Sequence, residues 1–406
     1  MKVLTVFIDG LKPESIEYMP FLNTLNKRRI RTELGYSNTC HASMYTGVYP
    51  NKHLMWFLWK YSPNTSPFRW LKSLGSHLLN NIYIKYTCYR ITKFLYGHKY
   101  MSAFKLPFLW YIPIKYWHCF DVIEKKFWDQ PNYIEKYPTI FELLRNNNID
   151  YEIVGFSKSS LDRSFELIKN YKFKKIATWT YLFVGDIDLL SHRYGQDSPE
   201  VKEKLKEIDL FLEKIYKLYE KQFDDFCFFL FSDHGHMEIR ERINPYSLFR
   251  SKNYPLENYI HFVDSNYLRF WFRNRKEREE VIKALSALED KGFILTKDIL
   301  KQYHVNMPDN RYGDLVFYLD FPYVFKQGNI FIMGKEWSGV AKYTSFHGFL
   351  PDYPDMDGVF ISNKKATSKP YIKLEDITPS ILHLFNLKVP QYMDGEVIWK
   401  EIDTNE

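Results

Sequence analysis

The sequence predicts an α/β fold: a mostly parallel central sheet with helices on both faces. Three observations predict it. Short apolar, β-branched or aromatic runs alternate with segments of helical periodicity. Several runs end abruptly on Asp or on Asp-His. Those polar endings recur at wide intervals, as they do where an open sheet gathers ligands beyond the carboxyl ends of its strands.

Val3 to Ile8 reads as a buried strand, and Asp9-Gly10 ends it. Glu14 to Arg28 reads as a helix. A polar loop from Tyr36 leads through Ser37 to a second helix, Ser43 to Val48. Tyr151–Phe156 and Tyr181–Val184 read as strands. Ser198-Pro199 has the form of an N-cap with Pro at the first helical position. Behind it Val201, Leu205, Ile208, Leu212, Ile215 and Leu218 keep helical spacing. Phe226–Phe231 is an almost wholly aromatic and aliphatic strand, Gly358–Ser362 is another, and Asp376–Phe385 is a helix.

These elements assign 1–53, 131–245 and 346–406 to a core and leave two insertions. Residues 54–130 hold 21 aromatics, 11 Lys or Arg and 3 Asp or Glu. This segment reads as an aromatic, basic cap packed over the core. Residues 246–345 read as a small α+β insertion with strands at Tyr267–Phe272 and Gly313–Tyr318 and a helix at Arg278–Leu288.

With 406 residues, 45% of them apolar, the chain is long enough for a substantial core. A net charge of +7 favours anionic substrates or surfaces without implying specific nucleic-acid binding. Four cysteines without a CxxC spacing point to a reducing compartment. Met1-Lys2 runs straight into the first strand and no apolar run reaches membrane-spanning length. The expectation is a cytoplasmic protein without a transmembrane segment. Oligomeric state is not legible.

The chemistry-bearing residues fall in clusters. Asp9 follows a strand and is able to point at a cation. Asp188 and His192 are four apart, on one face of a helical turn. Asp233-His234-Gly235 follows a strand whose packing does not account for them. His236 reads as a loop residue or a support for the ligands, and Asp186 as a support or a competing ligand. His347-Gly348 closes the series. Ser37 stands ahead of a helix start, where N–H groups and the helix dipole suit a phosphate.

In this order the residues resemble the alkaline phosphatase superfamily, in its type I phosphodiesterase and nucleotide pyrophosphatase branch. The pattern is Asp, Ser-x8-Thr-Gly-x-Tyr-Pro, Asp-x3-His, Ser-Asp-His-Gly and His-Gly. The tail from Leu374 to Leu382 and the stretch Pro390 to Gly395 resemble that branch as well. The resemblance implies two divalent metal ions, zinc with manganese or magnesium as alternatives. Asp188, His192 and His347 would hold one. Asp9, Asp233 and His234 would hold the other, which would also touch the nucleophile Ser37, fixed by its spacing to Thr46-Gly47. The implied reaction is cleavage of a phosphodiester or pyrophosphate through a phosphoseryl intermediate.

This sequence departs from the family at Leu58, where a phosphoryl-binding Asn is expected. Asn38 and Lys52 are the candidate substitutes. The implied substrate is an anionic phosphodiester small molecule or a glycan or lipid phosphate. A phosphomonoesterase or phosphotransferase is the alternative. Cys40 would invite a sulfatase but is three positions out of register. A non-catalytic glycan- or membrane-binding protein is opposed by the complete set of seven residues.

Overall fold

Seven strands form the central sheet: β1 (Lys2–Ile8), β2 (Asn26–Arg31), β3 (Tyr151–Val154), β4 (Trp179–Val184), β5 (Phe226–Phe231), β6 (Gly358–Ser362) and β7 (Tyr371–Lys373), in the spatial order β7-β2-β6-β5-β1-β4-β3. The computed structural model describes residues 1–74, 80–96, 108–156, 163–172, 176–327, 330–332, 335–338 and 342–399. Only β6 runs against its neighbours; the other pairings are parallel.

The chain divides into two compact units. Unit 1 joins Met1–His53, Trp128–Glu238 and Thr344–Glu406. Its central strands β1, β4, β5 and β6 are buried on both faces because both faces are covered. Val3 and Phe7 of β1 pack with Cys40, Met44 and Tyr45 of helix α1 (Ser37–Thr46). Leu4, Val6 and Ile8 point the other way, onto Ile187 of α2 (Asp186–Tyr194) and Val201, Leu205, Ile208 and Leu212 of α3 (Pro199–Gln222). Ile377, Ile381 and Leu384 of α4 (Ile377–Leu384) join the α1 face. The expected N-cap of α3 is present: Ser198 accepts from Val201 N at 3.3 Å.

Two element expectations are corrected. Glu14–Arg28 is not one helix. A 3-10 turn covers Pro13–Tyr18, a four-residue helix covers Pro20–Asn23, and β2 starts at Asn26. Pro20 lacks an N–H and disfavours the helical conformation at the residue before it; Met19 sits at φ −123°, ψ 77°. Asp209 of α3 then accepts from Phe21 N and Leu22 N at 2.9 and 3.0 Å, fixing the short helix in place. The second correction concerns α1, which starts at Ser37 rather than Ser43 and ends at Gly47, whose φ of +71° makes it a left-handed cap.

Unit 2 joins Leu54–Phe127 with Ile239–Tyr343, so the two insertions read separately in the sequence share one body. Its four-stranded sheet has the order Ile260–Asp264, Tyr267–Trp271, Leu315–Leu319, Gly292–Ile294. Leu268 and Phe270 face a cluster with Val281 and Leu285. Phe262 and Trp271 face the aromatics of the first insertion, among them Trp59, Phe68, Trp117 and Phe120. Between them lies the fully buried Arg269, which bonds Asp264 at 2.6 Å and the Trp59 carbonyl at 2.9 Å. Its guanidinium lies 4.3 Å from the Phe57 ring centroid. Among the described residues no helix is long and apolar enough to cross a membrane.

Candidate active site

Strand register sets the site. Ile8 pairs with Val184 and Phe7 with Phe231, so β1, β4 and β5 end level. The residues just past those ends are Asp9, the start of α2, and Asp233. Three carboxylates from distant parts of the chain thus reach one edge of the sheet. Gly10 turns the chain away at φ +72°, and a Cβ there would lie 3.0 Å from Asp188 Cα.

Helix α2 carries Asp188 and His192 on one face, with His192 Nε2 3.5 Å from Asp188 Oδ1. His192 donates its Nδ1–H to the Ser345 carbonyl at 2.8 Å, which leaves the Nε2 lone pair facing Asp188. Ser345–Phe346 pairs with Met237–Glu238 as a two-stranded ribbon. That ribbon delivers His347, whose Nε2 lies 3.7 Å from Asp188 Oδ1. Gly348 has φ +88°, and a Cβ on it would run into the Tyr36 ring at 2.7 Å. Its bareness lets Tyr36 lie edge-on to His347, 5.7 Å between centroids.

His234 stands in the middle. Its Nδ1–H donates to the Gly235 carbonyl at 3.1 Å. Its Nε2 then faces Ser37 Oγ at 3.0 Å, Asp233 Oδ2 at 3.3 Å and Asp9 Oδ1 at 3.5 Å. The His234 and His347 rings stack at 3.9 Å. Ser37 is the first residue of α1, and no side chain caps that helix.

The structure therefore brings together Asp9, Ser37, Asp188, His192, Asp233, His234 and His347. Their grouping is more interlaced than two separate triplets. Among the described residues, three sets have donor atoms close enough for one ion: Asp9, Asp233 and His234; Asp188, His234 and His347; and Asp188, His192 and His236.

The donor set fits divalent cations. Asp9 Oδ1 and Asp233 Oδ2 are buried with no hydrogen-bond partner among the described residues. Burial raises the Asp9 carboxyl well above the usual carboxylate range, and Asp233 and Asp188 add repulsion. Burial also raises Asp233, against the pull of His234. Asp188 goes the other way: burial pushes it up, but His192, His236 and His347 together hold it well below its ordinary value. Burial lowers His347 well below the ordinary imidazole value. Neutral imidazoles and carboxylates without a thiolate suit zinc, manganese or magnesium.

Other residues resolve differently. Asn38 Nδ2, beside Ser37, is buried with no partner among the described residues. Lys52 is engaged elsewhere, with Asp394 at 2.6 Å and the Tyr392 carbonyl at 3.1 Å. Asp186 accepts from Ser164 Oγ and from Phe165 N, the latter at 2.9 Å, and holds a helix start rather than a cation. Cys40 is buried in the core against Thr32, and burial pushes its thiol well up. Leu58 packs against the aromatic cluster of unit 2.

His236 takes the supporting place that the sequence offered as one of its two readings, and His41 gains a place that the sequence did not give it. His236 is 3% exposed, and its Nε2 lies 2.9 Å from Asp188 Oδ1. His41 has Nε2 4.0 Å from Asp233 Oδ2, and burial and His234 lower it to about 3. A signal for His41 was present: it follows Ser37 by four, one helical turn.

Residues 3–330 match the family described as type I phosphodiesterase / nucleotide pyrophosphatase. Among solved structures, human ectonucleotide pyrophosphatase / phosphodiesterase 5 is similar at TM-score 0.64 and 15% identity, over 98% of this chain and 97% of that one. The murine protein of the same name is similar at TM-score 0.63 and 14% identity, over 96% of each chain. An inactive variant of the murine protein in complex with AMP gives TM-score 0.64, also at 14% identity and 96% of each chain. No curated protein sequence matches.

Proposed function

The chain belongs to the type I phosphodiesterase / nucleotide pyrophosphatase family and is a phosphodiester hydrolase, and from that premise we propose that Ser37 is its nucleophile and that two divalent cations serve it. Asp188, His192 and His347 would hold one cation, and Asp9, Asp233 and His234 the other. When bound, such ions supply charge neutralisation for the phosphoryl group and for an ionised serine. One observation carries the reading. Two buried carboxylate oxygens without a hydrogen-bond partner among the described residues face His234 Nε2, and Ser37 Oγ meets the same nitrogen at 3.0 Å.

In the proposed reaction Ser37 Oγ attacks phosphorus in line with the leaving oxygen. The ester bond breaks, the alcohol or phosphate leaves, and a phosphoserine remains. Water then displaces Ser37 from phosphorus and restores the hydroxyl. The start of α1 and the Asn38 amide offer donors to the phosphoryl oxygens. Asn38 thereby stands in for the family's Asn that Leu58 replaces, whereas the pairing of Lys52 with Asp394 takes it out of that role.

No Arg lies between Tyr36 and Thr46 to neutralise a second charge, so diesters are the favoured class. A nucleotide fits, as AMP does in the murine relative; a lipid or glycan diester has the same reacting group. All four cysteines are buried and unpaired, a state that suits a reducing, cytoplasmic setting.

The test is a matched panel of bis- and mono-p-nitrophenyl phosphate with metal analysis of the purified chain. The expected result is bound zinc or manganese and a higher kcat/KM for the diester. A higher value for the monoester would instead promote the phosphatase reading.

A further inference from the structure

One helix of unit 2 turns an apolar and cationic face outward. Ile82–Tyr96 anchors its inner side through Cys88, Tyr89 and Thr92. Tyr89 packs on Trp110, Thr92 accepts from Trp70 Nε1 at 3.0 Å, and Lys85 donates to the Trp110 carbonyl at 2.7 Å. The outer side exposes Tyr83, Arg90, Ile91, Lys93, Phe94 and Leu95. Phe94 is 88% exposed and Leu95 48%.

Single exposed apolar residues are ordinary; a group on one helix is not. Of the eleven exposed large hydrophobics among the described residues, five lie between Leu74 and Leu95. Charge narrows the occupant. Residues 54–120 contain nine Lys or Arg and no Asp or Glu. Arg90 and Lys93 precede Phe94 by four and one positions on the exposed side, and the Arg90 guanidinium donates to the Tyr86 hydroxyl at 3.0 Å.

An acidic protein groove would reward the cations and leave Ile91, Phe94 and Leu95 to find apolar pockets of matching shape. An anionic bilayer rewards both at once, because its interface takes apolar side chains at one depth and cations at the phosphate level. We propose that the outward face of the helix Ile82–Tyr96 docks on an anionic lipid surface. Tyr83, Ile91, Phe94 and Leu95 enter the interface, and Arg90 and Lys93 reach the headgroup phosphates on their flexible stems. The hydrolytic residues take no part, so this proposal stands or falls separately from the one above.

The test is co-sedimentation of the full chain with vesicles of phosphatidylcholine alone and of phosphatidylcholine mixed with phosphatidylglycerol. The expected result is pelleting with the mixed vesicles only, weakened by salt. The Arg90→Gln/Lys93→Gln variant lowers partitioning by roughly thirty-fold. Phe94→Gln/Leu95→Gln lowers it by about tenfold or more. Both keep wild-type turnover of a soluble diester.

Wild-type protein that stays in the supernatant with both vesicles overturns the proposal. So does equal binding to both, or variants that pellet like wild type. Pelleting without vesicles that depends on Phe94 and Leu95 would identify a second copy of the chain as the occupant and overturn it as well.

Discussion

Ser37 Oγ and the Asp9 and Asp233 carboxylate oxygens converge on one imidazole nitrogen, so each residue there has a separable role. Ser37→Ala is expected to abolish diester turnover while the chain still binds metal, and Cys40→Ala to leave turnover near wild type. The checks are a steady-state assay and elemental analysis; an active Ser37→Ala would remove the nucleophile assignment. His236 supports Asp188 from 2.9 Å. His236→Ala is expected to weaken metal retention by about 10–100-fold, measured by chelator competition on folded protein. Unchanged retention would reduce His236 to a packing residue. Asp9, Asp233 and His234 were legible because polar residues at the ends of buried strands have no packing explanation. For His236 the sequence left a loop residue and a support for the ligands open, and only the fold, through its 2.9 Å contact with Asp188, decides for the support.

Elements meet at a second buried group of carboxyls, away from the proposed catalytic residues. Glu33, just past β2, and Glu375, just before α4, are both buried and face one another. Burial raises Glu33 well above its ordinary value and Glu375 to about 7. A carboxyl raised on folding contributes stability that is complete below the unfolded value near 4.5 and is lost as pH rises through about 7. The part of the thermal stability that depends on this pair is therefore expected to fall between about pH 5 and 7, read as the difference between wild type and Glu375→Gln. A melting series in both proteins checks this; parallel slopes would show that the pair does not share a proton. Strands β1, β4 and β5 were readable from their unbroken apolar runs. Strand β2 was not: Asn-Lys-Arg-Arg-Ile-Arg buries only Ile30, so a basic stretch resembles the end of a helix. Strand β7 has three residues and buries only Ile372, too little for a pattern.

Across the whole molecule the seven candidate catalytic and ligand residues belong to unit 1, while unit 2 has cores of its own. A ligand stabilises only what its binding site depends on. Calorimetry with and without zinc is expected to show two transitions, with only one shifted upward by metal. A common shift of both would show that the units unfold together. The shared body of unit 2 was hidden from the sequence because Trp59 and Phe120 meet Phe262 and Trp271 across a long separation and leave no local periodicity. The ribbon of Met237–Glu238 with Ser345–Phe346 has one last consequence. It brackets Ile239–Tyr343, so the two points where that stretch departs and returns are one strand spacing apart. His234 and His347 both lie outside that stretch, just beyond the two strands of the ribbon. Descendants of this chain can therefore lengthen, shorten or exchange the bracketed stretch while the ribbon still holds its two ends together.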